Sequence, residues 1–237
     1  MLKSRTPLRK PFELDVAVGT GARTTALVYT ARGADHAPVG AALVLGHGAG
    51  AGQHSPFMVE FAHALADLGI DVITFNFLYI QQRRRLPDRG PLLEDCYTAV
   101  IRAVRERVDT ARRALFIGGK SMGGRIATRV AAADASLPIA GLVLLGYPLH
   151  PPGQPERLRD GHLPLVHRPM LFVQGTRDSF GTPEELAPIL AKLTPVPFVY
   201  TIDNGDHSFK LRKRDPVRQA EVFRSIQQAI AGWIAST

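Results

Sequence analysis

Apolar and polar positions alternate in blocks along this chain, and the blocks have two different periods. Residues 41–45 form a continuous apolar run, which is typical of a strand covered on both faces of a sheet. Residues 57–68 instead carry apolar side chains three or four positions apart, as on one face of a helix. This alternation predicts a doubly wound, mostly parallel sheet with crossover helices on both sides.

The same pattern predicts a sheet of about seven to eight strands and the helices between them. The predicted strands span residues 13–18, 25–30, 41–45, 71–77, 114–118, 141–145, 170–173 and 198–202. The predicted helices span residues 56–68, 91–109, 122–133, 183–193 and 216–234. The turn Gly19-Thr20-Gly21 joins the first two strands and suits a hairpin at the sheet edge. Because no repeat or linker divides residues 1–237, we expect a single domain.

The composition agrees with a globular protein, since 45% of the residues are hydrophobic and 21% are charged. No apolar run reaches the ~18 residues of a membrane span, and the basic N-terminus has no apolar signal stretch. The single cysteine, Cys96, cannot form an internal disulfide and lies on an apolar helical stripe, so we expect it to be buried. We therefore expect a cytoplasmic protein with no membrane partner.

A formal net charge of +8 makes the chain basic, and its densest clusters are residues 83–85 and 212–214. Such clusters attract anions, including acidic substrates. The alternative is that they are solvated loops, which is the usual place for runs of charge. Because no nucleic-acid-binding motif accompanies them, we expect no nucleic-acid partner.

A serine between glycines, Ser121, lies in the sequence Gly119-Lys120-Ser121-Met122-Gly123, after a predicted strand and before a predicted helix. A serine at such a sharp strand-to-helix turn is typical of a catalytic nucleophile, and its neighbours two positions away must be small. The five residues alone are a weak signal, but their position after a buried strand makes it specific. We predict that Ser121 is the nucleophile.

A serine hydroxyl needs a base to accept its proton, and in this arrangement an acid and then a histidine follow the serine. Asp178 follows the predicted strand 170–173, and His207 follows the last predicted strand, 198–202. The carboxyl ends of parallel strands share one edge of the sheet, where open α/β sheets bind their ligands. Chain order and placement together predict a catalytic triad of Ser121, Asp178 and His207.

Two backbone N–H groups are needed to stabilise the oxyanion in such a reaction. We predict Met122, directly after the nucleophile, and Ala49, in the glycine-rich loop 46–50 after the third strand. A phosphate-binding loop is the alternative for residues 46–50, but the GxGxxG spacing fits badly and the lysine of a P-loop is missing. His47 in this loop is expected to brace the neighbouring backbone and is also a candidate substrate contact.

The segment between the sixth and seventh predicted strands, residues 146–168, is short and rich in proline, so we expect a strap with one helical turn at residues 155–159 and no lid domain. Tyr147 begins this strap and is a candidate for the acyl pocket, with core packing as the alternative. Arg85 and Lys210 follow strands at the same edge and are candidates for binding an anionic acyl substrate. No group of histidines and cysteines has metal-ligand spacing, so we predict no metal and no cofactor.

Five segments of the chain together resemble a group of small bacterial hydrolases. They are residues 46–50 (GHGAG), 55–58 (SPFM), 118–125 (GGKSMGGR), 174–178 (QGTRD) and 205–210 (GDHSFK). The group is related to dienelactone hydrolases, to an animal testis-expressed protein and to a subunit of a histone acetyltransferase complex. The resemblance implies the α/β-hydrolase fold and the triad Ser121, Asp178 and His207. Dienelactone hydrolases proper have cysteine where Ser121 stands, so their particular reaction is not implied.

The sequence is consistent with two classes of function. The first is a serine hydrolase that cleaves a small ester, thioester or amide through an acyl-enzyme on Ser121. The second is a hydrolase fold retained as a non-catalytic binding module, as the acetyltransferase-complex subunit is thought to be. An intact triad and oxyanion loop favour the first class.

Overall fold

The computed structural model describes residues 10–32, 39–212 and 215–237. Within these ranges, eight strands form one sheet and seven α-helices flank it. The basic N-terminal residues and two members of the second basic cluster, Lys213 and Arg214, lie outside the described residues.

The sheet is mixed at one edge and parallel elsewhere. Its strands are β1 (Phe12–Val18), β2 (Ala22–Tyr29), β3 (Ala42–Gly46), β4 (Asp71–Phe75), β5 (Leu115–Lys120), β6 (Gly141–Leu145), β7 (Met170–Gly175) and β8 (Phe198–Ile202). Their spatial order is β1-β2-β4-β3-β5-β6-β7-β8, with antiparallel pairing only from β1 to β2 and from β2 to β4 among the described strands. The predicted edge hairpin and mostly parallel sheet are confirmed.

Proline or a sharp turn marks the start of most of the helices. They are α1 (Pro56–Asp67), α2 (Leu78–Gln81), α3 (Gly90–Arg107), α4 (Asp109–Arg113), α5 (Met122–Ala133), α6 (Pro183–Leu190) and α7 (Pro216–Ser236). Proline occupies the first turn of α1, α3, α6 and α7. It fits there because an N–H in the first turn has no intrahelical acceptor.

Two predicted elements differ from the structure. The predicted strand 71–77 ends two residues early, because the backbone N–H of Phe77 leaves the sheet and donates to Nε2 of His47 at 3.1 Å. Helix α2 then follows. The predicted helix 91–109 is interrupted at Val108, whose extended backbone and buried side chain separate α3 from α4.

Two apolar layers cover the sheet. Helices α3, α5 and α6 pack on one face, and α1 and α7 pack on the other. Along β3 the side chain of Val44 enters the first layer, and those of Leu43 and Leu45 enter the second. Cys96 is fully buried in the first layer, as the apolar stripe predicted. The carboxyl ends of the parallel strands are left uncovered between these layers, and the candidate site lies at that edge.

A buried tyrosine of α3, Tyr97, ties β3 to β5 just below the loop that carries Ser121. Its hydroxyl oxygen lies 2.9 Å from the carbonyl oxygen of Val44 and 2.6 Å from that of Gly118. It also accepts the N–H of Gly118 at 2.9 Å. A hydroxyl suits this position because it can donate and accept at once, whereas buried backbone groups are costly when left without partners.

We expect Tyr97→Phe to lower the free energy of unfolding by about 1–3 kcal/mol, because the change leaves buried backbone groups of β3 and β5 unsatisfied. Urea unfolding followed by circular dichroism measures this difference. Tyr200→Phe is the control, because Tyr200 is only half-buried and its hydroxyl has no hydrogen-bond partner among the described residues. Equal midpoints for the two variants would contradict the role assigned to Tyr97.

Candidate active site

Ser121 occupies the turn between β5 and α5 in a strained backbone conformation. Its φ is 51° and its ψ is −113°, a region that costs a residue with a side chain about 1–3 kcal/mol. A Cβ atom added at Gly119 or Gly123 would overlap the backbone of Gly46 at the end of β3. The glycines at these two positions therefore allow the turn to be sharp, and the turn exposes the serine at the sheet edge.

The three residues predicted as a triad lie within hydrogen-bond distance of one another. Ser121 Oγ lies 2.8 Å from His207 Nε2. On the other side of the imidazole ring, His207 Nδ1 lies 2.8 Å from Oδ2 and 2.9 Å from Oδ1 of Asp178. This arrangement gives the serine a base, and the base an orienting carboxylate, in one line.

The carboxylate of Asp178 is almost fully buried, with 1% of the residue exposed, and it has further donors besides His207. Oδ2 accepts from Gln174 Nε2 at 2.8 Å, and Oδ1 accepts from the backbone N–H of Phe180 at 2.8 Å. Asp206, the neighbour of His207, instead turns to its own loop and accepts the N–H groups of Ser208 and Lys210. A buried carboxylate with this many donors is suited to stabilise an imidazolium cation.

The two predicted oxyanion donors, Ala49 and Met122, both border the cleft at Ser121. Met122 is the first residue of α5, so its N–H belongs to the free amino end of a helix. Within the described ranges, neither N–H donates to a protein acceptor. These donors are therefore free to bind a developing oxyanion, and their role stays a prediction.

The structure corrects the predicted substrate contact at His47, although the predicted bracing role agrees with its contacts. The side chain is fully buried and does not border the cleft. Nδ1 lies 2.8 Å from the carbonyl oxygen of Gly48, and Nε2 accepts from the N–H of Phe77. Because burial lowers the pKa of His47 to about 4, the ring is neutral near pH 7 and joins the oxyanion loop to the chain after β4.

The structure also moves Tyr147 from the acyl pocket to the core. Its ring is fully buried against Phe172, with centroids 5.5 Å apart, and its hydroxyl donates to the carbonyl oxygen of Arg159 at 2.8 Å. Tyr147 therefore supports the strap rather than lining the cleft. Its position agrees with core packing, which was the alternative predicted from the sequence.

The two predicted anion-binding residues are separated by the structure. Lys210 borders the cleft. Arg85 lies in the exposed segment after α2 and outside the cleft, because α2 carries the chain away from Ser121 before the arginines are reached. Arg85 therefore agrees with the alternative interpretation of the basic cluster, a loop exposed to solvent.

The cleft at Ser121 has a volume of about 750 Å³ and two unlike walls. The wall from α1 and α7 is mainly aromatic, with Phe57 and Phe223 meeting edge to face, and it also carries the carboxylate of Glu60. The wall from α5 and the strap carries Arg125 and Arg159. Sequence reasoning missed both arginines, although Arg125 follows Ser121 by one helical turn and that spacing alone could have suggested it.

The strap, residues 146–168, contains no lid domain. Its helical turn is a 3₁₀ turn at Leu163–Leu165, not at residues 155–159 as predicted. Leu163 is buried and this turn packs against α5, whereas residues 155–158 are exposed. Among the described residues, no helix is both long and apolar enough to cross a membrane. The described residues also contain no group of three or more side chains able to hold a metal ion.

Lys120, next to Ser121, is a third residue that sequence reasoning passed over. Only 8% of it is exposed, and its Nζ donates to the backbone carbonyl oxygen of His207 at 2.6 Å. Burial lowers the pKa of this ammonium to about 8. Lys120 therefore holds the histidine loop at the cost of burying a charge.

Solved structures with the same arrangement of strands support this description of the fold. A serine hydrolase without a lid from Xanthomonas campestris is 23% identical, with a TM-score of 0.73 over 96% of this chain and 98% of that chain. A serine hydrolase homologue from Coxiella burnetii is 17% identical, with a TM-score of 0.72 over 95% and 100%. A dienelactone hydrolase from Anabaena variabilis is 20% identical, with a TM-score of 0.70 over 95% and 97%.

The chain matches the alpha/beta hydrolase domain family over residues 39–235, and it belongs to that family. The α/β-hydrolase fold without a lid domain, expected from the sequence, is confirmed. Fold alone does not choose a reaction, so the chemistry has to be argued from the site.

We expect Lys120→Met to lower kcat/KM by about tenfold or more, because a charge-assisted hydrogen bond that holds the His207 loop is lost. Its thermal midpoint near pH 7 should equal or exceed that of the wild type. Folding lowers the pKa of Lys120 from 10.5 to about 8, so the buried charge destabilises the protein below about pH 8. That cost disappears as the pH rises toward 10.5, and the stability difference should shrink with it.

The control for this variant is Lys192→Met, at an exposed lysine after α6. Initial rates on an acyl ester and thermal unfolding at about pH 7 and about pH 10 separate the two effects. Full activity of Lys120→Met would show that the lysine does not hold the histidine loop, and a marked loss of stability would show that burying its charge is not a net cost.

Proposed function

We propose that this protein is a serine hydrolase that cleaves a small ester, thioester or amide through an acyl-enzyme on Ser121. The observation that carries the proposal is the hydrogen-bonded chain from Asp178 through His207 to Ser121, which ends in an open cleft. The unpaired N–H groups of Ala49 and Met122 support it. A cleft of about 750 Å³ suits a small-molecule substrate.

The reaction has two steps that follow from these contacts. In the first, Ser121 Oγ forms a bond to the substrate carbonyl carbon while His207 Nε2 takes the hydroxyl proton. The carbonyl oxygen becomes an oxyanion, which the N–H groups of Ala49 and Met122 stabilise. The bond to the leaving group breaks, and the leaving group receives the proton from His207.

In the second step, water replaces the leaving group. His207 takes a proton from the water, whose oxygen bonds to the acyl carbon, and Ser121 Oγ leaves with that proton. Asp178 stays ionised throughout and stabilises the imidazolium that forms twice in each cycle. No net charge or proton is gained by the protein.

Three broader predictions from the sequence accompany this proposal. We infer that residues 1–237 act as one domain, because all eight described strands belong to one sheet. We also infer that the chain is related to the testis-expressed and acetyltransferase-subunit group, on the five matching segments. A location in the cytoplasm stays a prediction from the sequence.

We expect a fluorophosphonate probe to modify Ser121, because the probe reacts with a serine whose proton is taken by an adjacent base. Intact-mass spectrometry should show one adduct on the wild type and none on Ser121→Ala. Ser208→Ala is a matched control that should label normally, since Ser208 borders the same cleft without touching a base. A folded wild type that stays unlabelled would overturn the hydrolase and favour the binding module.

We expect Asp178→Asn to reduce turnover by orders of magnitude, on the order of 10⁴-fold in the serine protease precedent. The amide can no longer stabilise the imidazolium or hold its tautomer. Asp206→Asn is the matched control, because that carboxylate accepts only backbone N–H groups of its own loop among the described residues. Steady-state rates on one ester compare the two. Larger loss in Asp206→Asn would reverse the assignment of the acid.

A further inference from the structure

Arg125 is a cation of the cleft that forms no salt bridge within the described part of the chain. Its backbone N–H donates to the carbonyl oxygen of Ser121 at 3.1 Å, so its Cα lies one helical turn, about 5.4 Å along the axis, beyond the nucleophile. Its half-buried side chain lines the cleft, and Nε is buried with no hydrogen-bond partner among the described residues. A desolvated guanidinium with unused donors is costly unless an anion pairs with it.

Arg159 lies on the same wall of the cleft, in the strap, and its backbone N–H and C=O groups are both hydrogen-bonded. Its N–H donates to the carbonyl oxygen of Leu149 at 2.8 Å, and its carbonyl oxygen accepts from the Tyr147 hydroxyl at 2.8 Å. Its half-buried side chain lines the cleft and forms no salt bridge within the described part of the chain. The backbone of Arg159 is therefore fixed, and its guanidinium group is available to a ligand in the cleft.

No carboxylate forms a salt bridge with Arg125 or Arg159 among the described residues. Glu94 is ion-paired with Arg129, one turn further along α5, and Glu60 lies on the opposite wall, on α1. Burial lowers the pKa of Arg125, the charges of Arg159 and Arg129 lower it further, and Tyr147 and Glu94 oppose this in part. Two like charges are thus held near each other in a partly desolvated cleft, an arrangement that a bound anion would stabilise.

We propose that Arg125 and Arg159 bind an anionic oxygen group, most simply a carboxylate, at the far end of a short acyl chain attached to Ser121. This inference rests on the function proposed above. The planar guanidinium offers paired donors that match a carboxylate or a phosphate. Because Arg125 follows Ser121 by one helical turn and lines the same cleft, the anion would lie a few bonds from the reacting carbonyl. The apolar wall at Phe57 and Phe223 then accepts the leaving group.

The test compares a half-ester of glutaric acid with a pentanoate ester of the same alcohol. The two acyl chains have equal length and differ only in the terminal carboxylate. We expect the wild type to prefer the half-ester in kcat/KM, and Arg125→Gln to reduce this preference by about tenfold or more. Arg125→Lys should retain part of it, because charge remains but the paired donors are lost.

Arg113→Gln is the matched control, since it removes the same charge from an exposed site on α4, before β5 and away from the cleft. It should leave the preference unchanged. An equal fall in both variants would mean that the overall charge of the protein, not this pair, attracts the anion. Equal kcat/KM for the two esters in the wild type would overturn the proposal.

Calorimetry makes the test independent of turnover. We expect glutarate to bind the wild type more tightly than the uncharged pentanamide does, and Arg125→Gln to lose that difference. Tighter binding of butyl phosphate than of glutarate would identify the anion as a phosphate on the same pair. If the pentanoate ester is hydrolysed without any preference for anions, the anion subsite fails and the hydrolase stands. If the probe does not label Ser121 but glutarate binds through Arg125, the hydrolase fails and the subsite stands.

Discussion

The close approach of Gly46 to Gly119 and Gly123 is the constraint on which the rest of the site depends. Side chains at either of the last two positions would overlap the end of β3. Only at this separation can the chain turn from β5 into α5 within one residue and hold Ser121 at a φ of 51°. The same contact places the loop of residues 46–50 beside Ser121, so one packing distance positions both the serine and the loop that carries Ala49.

The pattern of strands explains why the fold, and the place of the three triad candidates, could be predicted from the sequence. The central parallel strands are covered on both faces and were visible as apolar runs, whereas the edge strand β8 is mostly exposed or half-buried. Ser121, Asp178 and His207 follow strands within a few residues, and the topology brings the ends of parallel strands to one edge. The order of these residues along the chain, together with the strands that precede them, was therefore enough to predict that Ser121, Asp178 and His207 lie close together. The boundaries at Phe77 and Val108 were missed because long-range contacts, not local pattern, decide them.

The cleft walls could not be predicted in the same way. Their side chains come from helices and a strap whose orientation depends on packing between distant segments. Arg85 is in the densest basic run but lies outside the cleft, whereas Arg125 and Arg159 stand apart in sequence and meet there. Charge density along the chain is thus a poor guide to charge in a cleft. Burial and lack of a partner are the informative properties, and both require the folded structure.

The side-chain amide of Gln174 is hydrogen-bonded both to the start of the strap and to the carboxylate of Asp178. Its Oε1 accepts the N–H of Tyr147 at 2.8 Å, and its Nε2 donates to Asp178 at 2.8 Å and to Gly181 at 2.6 Å. The segment that shapes the cleft and the carboxylate that orients the base are thereby fixed by one buried group. A strap exchanged with that of a relative would have to present the same backbone N–H to this amide. Any change in the strap that moves this N–H would therefore also disturb the buried carboxylate of Asp178.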